Sequence, residues 1–182
     1  MSAAAWGADT TRIAGALGAV RDTLDRPGHV VHLDSLRREI HQRTGVTVTA
    51  EDVTDGDALD RAARILAAVV DSALLNVGTQ FMWVGARETR RLVGIADPAN
   101  SLTTWATVQM RSGSVSTTSD AEKKVSVTVL APTGLVAEGW SAALLGLGCD
   151  RALALAASVV CADSVRVRWT PDLEGRVLLG RP

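Results

Sequence analysis

Tyrosine is absent from the 182 residues, phenylalanine occurs once and histidine three times. That scarcity excludes a nucleic-acid surface built on rows of stacked aromatic rings. The five tryptophans (Trp6, Trp83, Trp105, Trp140 and Trp169) lack the basic interleaving that such a surface needs and read as core or pocket wall. No charge of one sign dominates: the formal net charge is -1, so no general attraction to nucleic acid or to an anionic membrane is expected. No apolar run approaches the roughly 18 residues of a membrane span. The most apolar stretch, LLNVGTQFMWVG, is broken by Asn76, Gly78, Thr79 and Gln80. The opening MSAAAWGADTTR lacks the charged and apolar regions of a secretory signal. The two cysteines, Cys149 and Cys161, have no metal-binding spacing and read as ordinary buried thiols in a reducing cytosol. A cytoplasmic location follows from these readings. His29 and His32 form an H-x-x-H within HVVHL, but on a strand such positions point to opposite faces, which excludes shared metal coordination.

What is present is a hydrophobic fraction of 47% with 21% charged residues, enough for one globular domain with a proper core. Ile13, Leu17, Val20 and Leu24 recur at helical steps, predicting a helix over 11–26 that Pro27-Gly28 stops. HVVHL and GVTVT read as strands, and DSLRREIHQRTG between them as either a short helix or a hairpin return. The clearest helix is 57–70, with Leu59, Ala62, Ala63, Leu66 and Val70 on one face. A dense strand region follows: SALLNV, QFMWVG, RRLVGIAD, TTWATVQM, GSVSTT and VSVTVLA. Two helices come next, over 135–147 and 150–159, and the chain closes with SVRVRW, a TPDLEG turn and RVLLG. Strands grouped together, with helices at both ends, predict an α+β layered domain with a central, mostly antiparallel sheet.

The most informative short stretch is DVTDGDALDRAARIL, Asp52 to Leu66, which gathers Asp52, Asp55 and Asp57 around Gly56. Acids at a helix start favour the macrodipole and cap free N–H groups. The same acids could instead face a cleft, with Gly56 permitting a tight turn. The hydroxyl-rich SVSTTS suggests turn and edge-strand positions, since no histidine lies in a matching motif to activate a nucleophile.

The order of segments resembles the ApbE-type FAD:protein FMN transferases, from about Val48 to the C-terminus. That family carries stretches like LGGIAKGYALDRAA, VNLGGN, VGIADP, AVATSG, SVTVVAP and ADALATAL. The counterparts here are DVTDGDALDRAARIL, LLNVGTQ, LVGIADP, SVSTTS, VSVTVLAP and AEGWSAALLGLG. The resemblance implies a T-fold-like architecture and a flavin cleft bordered by Gly56, Asn76, Gly78, Thr79, Asp97, Thr117, Thr118 and Trp140. It also implies a single domain, residues 1–182, without the family's N-terminal segment and HIIDPRTG-like loop; only AEKK stands between Asp120 and Val125.

The departures bear on function. The family's lysine in AKGYA falls at Asp55 and its tyrosine at Asp57. A cation beside a pyrophosphate has become an anion, a reversal of order a few kcal/mol at about 4 Å and an effective dielectric near 20. The second glycine of LGG falls at Thr79. The Asp–Thr pair that the family uses to hold magnesium falls at Glu138 and Ala142, one ligand too long for an octahedral site and one with no oxygen. Ser141 is adjacent but rotated about 100° off that face. The resemblance with these losses implies a repurposed scaffold acting on a small neutral or cationic molecule without FMN transfer. Asp55, Asp57 and Glu138 are its candidate acid–base groups. No cofactor and no metal site is expected, with FAD or FMN plus magnesium only if the family activity is retained. The alternatives are a non-catalytic ligand-binding or partner subunit, and a diverged FMN transferase. Sheet edge or helix surface left uncovered by a missing N-terminal segment predicts a homodimer.

Overall fold

The structure, a computed structural model, describes residues 2–6, 10–24, 33–85 and 90–180. The strands are β1 (Ser2–Trp6), β2 (Ser72–Val77), β3 (Gln80–Gly85), β4 (Arg91–Asp97), β5 (Asn100–Met110), β6 (Gly113–Asp120), β7 (Val125–Ala131), β8 (Val159–Ala162), β9 (Val167–Trp169) and β10 (Val177–Leu179). The helices are α1 (Thr10–Leu24), α2 (Leu33–Thr44), α3 (Thr54–Leu66), α4 (Gly134–Leu145) and α5 (Gly148–Leu155). A seven-stranded sheet runs β1-β2-β3-β6-β7-β8-β9, and a three-stranded sheet runs β10-β5-β4. Every pairing is antiparallel.

Side-chain alternation along the large sheet sorts the layers. Val127, Val129, Val159 and Cys161 turn to one face and meet Leu36, Ile40, Trp140 and Leu144 of α2 and α4. Leu130 and Val160, one position out of phase, turn to the other face and meet Ile95, Ala106 and Val108 of the three-stranded sheet. Towards β1, α3 lays Leu59, Ala62 and Leu66 on Ala73 and Leu75. Three layers result: helices, large sheet, small sheet. The α+β layered reading is thereby confirmed.

Several local expectations change. DSLRREIHQRTG is helical, because Leu33, Leu36, Ile40 and Thr44 bury at three- and four-residue steps. GVTVT is no strand: the Val48 carbonyl accepts from Arg37 Nε at 2.6 Å, Thr49 bonds Asp52, and among the described residues no strand pairs with it. The helix expected over 150–159 ends at Leu155, and Val159 instead opens β8, after Ser158 adopts φ 56°. The N-terminal strand β1 lacks a sequence signal, its five residues being SAAAW, and exists through pairing with β2. HVVHL, apart from Leu33, lies outside the described residues. The cysteines are not free thiols: Cys149 and Cys161 form a disulfide that ties the start of α5 to β8 inside the core.

Candidate functional site

The helix carrying the acidic stretch begins three residues earlier than its apolar stripe suggests, so Asp55, Gly56 and Asp57 form its first turn rather than a loop. Gly56 serves packing, not turning. A β-carbon placed on it would lie 2.4 Å from the carbonyl carbon and oxygen of Gly134, and one on Gly134 would lie 2.5 Å from the Gly56 oxygen. The first turns of α3 and α4 therefore touch backbone to backbone.

That contact fixes two carboxylates. Glu138, one turn into α4, reaches across and accepts the Gly56 N–H through Oε2 at 2.7 Å. Burial pushes its carboxyl up to about 7, against the lowering effect of the Gly56 amide, and the nearby charges of Asp55 and Asp52 raise it further. Asp60, one turn beyond Gly56, accepts Gly134 N at 2.7 Å and Leu135 N at 3.0 Å, capping α4 from outside its own chain segment. Burial raises its pKa as well. Asp57 instead pairs with Arg61 Nε at 2.8 Å, both side chains mostly covered, so its charge is neutralised within α3.

The β2–β3 turn closes the site. Gly78 adopts φ 55°, and a β-carbon there would come within 3.8 Å of Asp55 Oδ2. Asn76 spends its amide on the turn itself, donating to the Gly78 and Gln80 carbonyls. Thr79 Oγ1 donates to the Thr117 carbonyl at 2.7 Å and ties the turn to β6. Beneath lies a hydroxyl cluster: Ser141 Oγ sits 3.0 Å from Ser116 Oγ and 2.9 Å from Thr118 Oγ1, and donates to the Glu138 carbonyl.

The structure thus brings Asp55, Gly56, Gly78, Glu138 and, behind them, Thr118 into one region. Others part from it. Thr117 turns to the opposite face of β6 and bonds Thr128 across the sheet. Asp97 holds its own hairpin through the Ala99 amide at 2.7 Å, in the other sheet. Trp140 is a core residue, 5% exposed, with the Arg43 guanidinium 4.9 Å from its ring. The Gly56 N–H, in the first turn of α3, is taken by Glu138.

Sequence reasoning missed Asp60 and Gln80. Asp60 was legible, since ALDRAA reproduces the family stretch. Gln80, 2% exposed, donates to the Gly134 carbonyl at 2.8 Å, while its Oε1 has no partner among the described residues. Nothing in the strand pattern marks it.

A magnesium ion does not fit here. Glu138 Oε2 is committed to an amide, a proton competes for the carboxyl near neutrality, and Ala142 carries no oxygen. Among the described residues no group of three His, Cys, Asp or Glu side chains stands close enough to hold a metal.

A family profile described as "ApbE family" matches residues 3–125. The chain belongs to the ApbE family. The match reaches some 45 residues further toward the N-terminus than the motif resemblance did, taking in β1 and the first two helices. Among solved structures, the ApbE protein of Thermotoga maritima superposes with a TM-score of 0.59 at 16% identity, over 92% of this chain and 78% of that one. The flavinyl transferase ApbE of Pseudomonas stutzeri gives 0.53 at 17% identity, over 100% and 77%. The flavin transferase ApbE of Vibrio cholerae gives 0.55 at 16%, over 71% of this chain; the chain spans about half, 52%, of that protein's length. These likenesses establish the ApbE fold. No curated protein matches the chain.

Proposed function

We propose that this ApbE-family chain has given up FMN transfer and uses the cleft between α3, α4 and the β2–β3 turn for proton transfer on a small neutral or cationic organic molecule. The observation that supports it is Glu138: a carboxyl pushed up to about 7 where the resemblance implies a magnesium ligand, with Ala142 one turn on. A group titrating near working pH suits general acid–base catalysis. The Gly56 amide holds Oε2, so the proton of the neutral form resides on Oε1. Asp55 stands beside Gly78 with no ion pair among the described residues, and with Asp52 it repels a phosphate and attracts a positive ligand. Arrival of a cation would draw the proton off Glu138, coupling binding to proton release.

The non-catalytic binding subunit is the competing reading, favoured by the fact that Glu138 already satisfies a helix-end amide. The two separate on Glu138→Gln. An acid–base role predicts ligand binding retained and turnover lost; a binding module shows no turnover in either form. Incubation with FAD, magnesium and a flavin-accepting protein domain tests the first clause. The expected acceptor mass is unchanged, and an added FMN overturns the proposal in favour of a diverged transferase.

Two further parts of the reading concern the molecule's setting. Among the described residues no helix is long and apolar enough to cross a membrane. Disulfides persist in oxidising compartments, so the Cys149–Cys161 bridge favours such a location over the cytosol that free thiols would have suggested. A two-fold homodimer is supported by the outer face of the small sheet, where Leu92 and Leu178 stand 61% and 47% exposed on positions that share one face with Thr107 and Gln109.

A further inference from the structure

Away from Glu138, toward the beginning of β6, three arginines from separate segments converge on one cavity of about 440 Å³. Arg90 comes from the approach to β4, Arg111 from the β5–β6 turn, and Arg176 from the approach to β10. Gln109 and Ser112 complete the polar wall, and among the described residues no carboxylate lines it. The three differ in freedom. Arg176 is half-buried and fixed, its Nε and Nη2 donating to the Gln109 carbonyl at 3.1 and 3.0 Å. Arg90 and Arg111 are exposed. Among the described residues none of the three forms an ion pair with a carboxylate.

Among the described residues the three guanidiniums have no paired carboxylate, and gathered so they repel one another. Planar guanidinium forks match the oxygens of phosphate in paired hydrogen bonds. A second cavity of about 430 Å³ adjoins the first through Ser112 and Arg176, and its wall carries Trp83, Leu130 and Pro132. An anionic head in the first cavity would leave its organic remainder facing that wall. We propose that this arginine cavity binds the phosphate group of a small phosphomonoester, at a site separate from the carboxylate cleft. The two sites have opposite electrostatic character: the cleft of Asp55 and Glu138 rejects the anion that the arginine cavity accepts.

Calorimetric titration of the full chain with glycerol 3-phosphate, inorganic phosphate and malonate tests this. Near-physiological salt is required, because weak surface attraction is screened there. The expected result is saturable glycerol 3-phosphate binding with Kd below about 1 mM, weaker inorganic phosphate and weaker malonate. Arg90→Gln with Arg111→Gln, both at exposed positions, should weaken it at least about tenfold, as loss of charge-assisted hydrogen bonds does. Arg21→Gln with Arg151→Gln, exposed and remote in sequence, removes the same charge and should leave it within about twofold. No saturation, equal weakening in both double variants, or malonate binding more tightly than glycerol 3-phosphate would each overturn the assignment.

Discussion

At the scale of single residues, Glu138 makes the sharpest prediction. An unfolded glutamate loses its proton near about 4.3, whereas the folded carboxyl holds it to about 7. Its folding contribution is therefore complete below the unfolded value and is lost as pH rises through 7. Between about pH 5 and 8 the wild type should lose about 1–2 kcal/mol more stability than Glu138→Gln, a figure discounted for the group's partial exposure. Urea melts of both proteins at the two pH values measure it, and parallel losses would exclude the raised pKa. Asp60 is the other case. Asp60→Ala strips two amides at the start of α4 of their acceptor and should cost about 1–2 kcal/mol, read as a melting temperature lower by about 3–8 °C. Asp60→Asn keeps one carbonyl acceptor and should cost less. Equal losses in the two variants would mean that the cap is not what Asp60 supplies. Asp60 stood in plain view within ALDRAA, while the environment that raises Glu138 did not. Its burial depends on Gly56, 82 positions away in sequence, which no local pattern encodes.

At the scale of elements, legibility followed how locally each element is specified. The stripe of α3 is written in short-range periodicity and the structure keeps it, though the helix ends at Leu66 rather than 70; SVSTTS, read as turn and edge-strand hydroxyls, lies instead in β6, inside the large sheet between β3 and β7. The β1 strand and the GVTVT segment are decided by whether a partner strand is present, so propensity failed in both directions. The Gly56–Gly134 contact joins two elements and predicts strong coupling. Gly56→Ala should destabilise by about 3 kcal/mol, because backbone meets backbone and no side chain can swing aside. Gly134→Ala should cost about the same. The double variant should fall short of the sum by more than about 0.5 kcal/mol, since one separation of the helices admits both methyls. Chemical denaturation of the three variants decides it, additivity counting against the contact. The disulfide also joins elements. Closing a loop with a sequence separation of 12, it should contribute about 2–4 kcal/mol, lost when thermal melts are repeated in reductant. An unchanged melting temperature under full reduction would argue against that contribution.

At the scale of the whole molecule, the three layers were legible from the grouping of strands between helices, and the ApbE relationship from the order of motifs. The pairing of cysteines was not, because a 12-residue separation carries no metal or redox signature and only the meeting of α5 with β8 brings the sulfurs together. Light scattering should give about twice the 19.1 kDa chain mass, falling to one chain when Leu92 and Leu178 are both changed to lysine. A single-chain mass for the unmodified protein would remove the dimer.

The contact between Gly56 and Gly134 bears on how such a scaffold can change occupation. The distance between the two helix starts is set by main-chain atoms in touch with each other, with Glu138, Asp60 and Gln80 tying them from the sides. Neighbouring side chains that make none of these bonds can change in size and charge while the spacing of the two helix starts stays constant. For laboratory evolution this separates two sets of positions: Asp55 and Ala142 as ones to vary, and the glycine pair, Glu138 and the left-handed Gly78 as the part to leave alone.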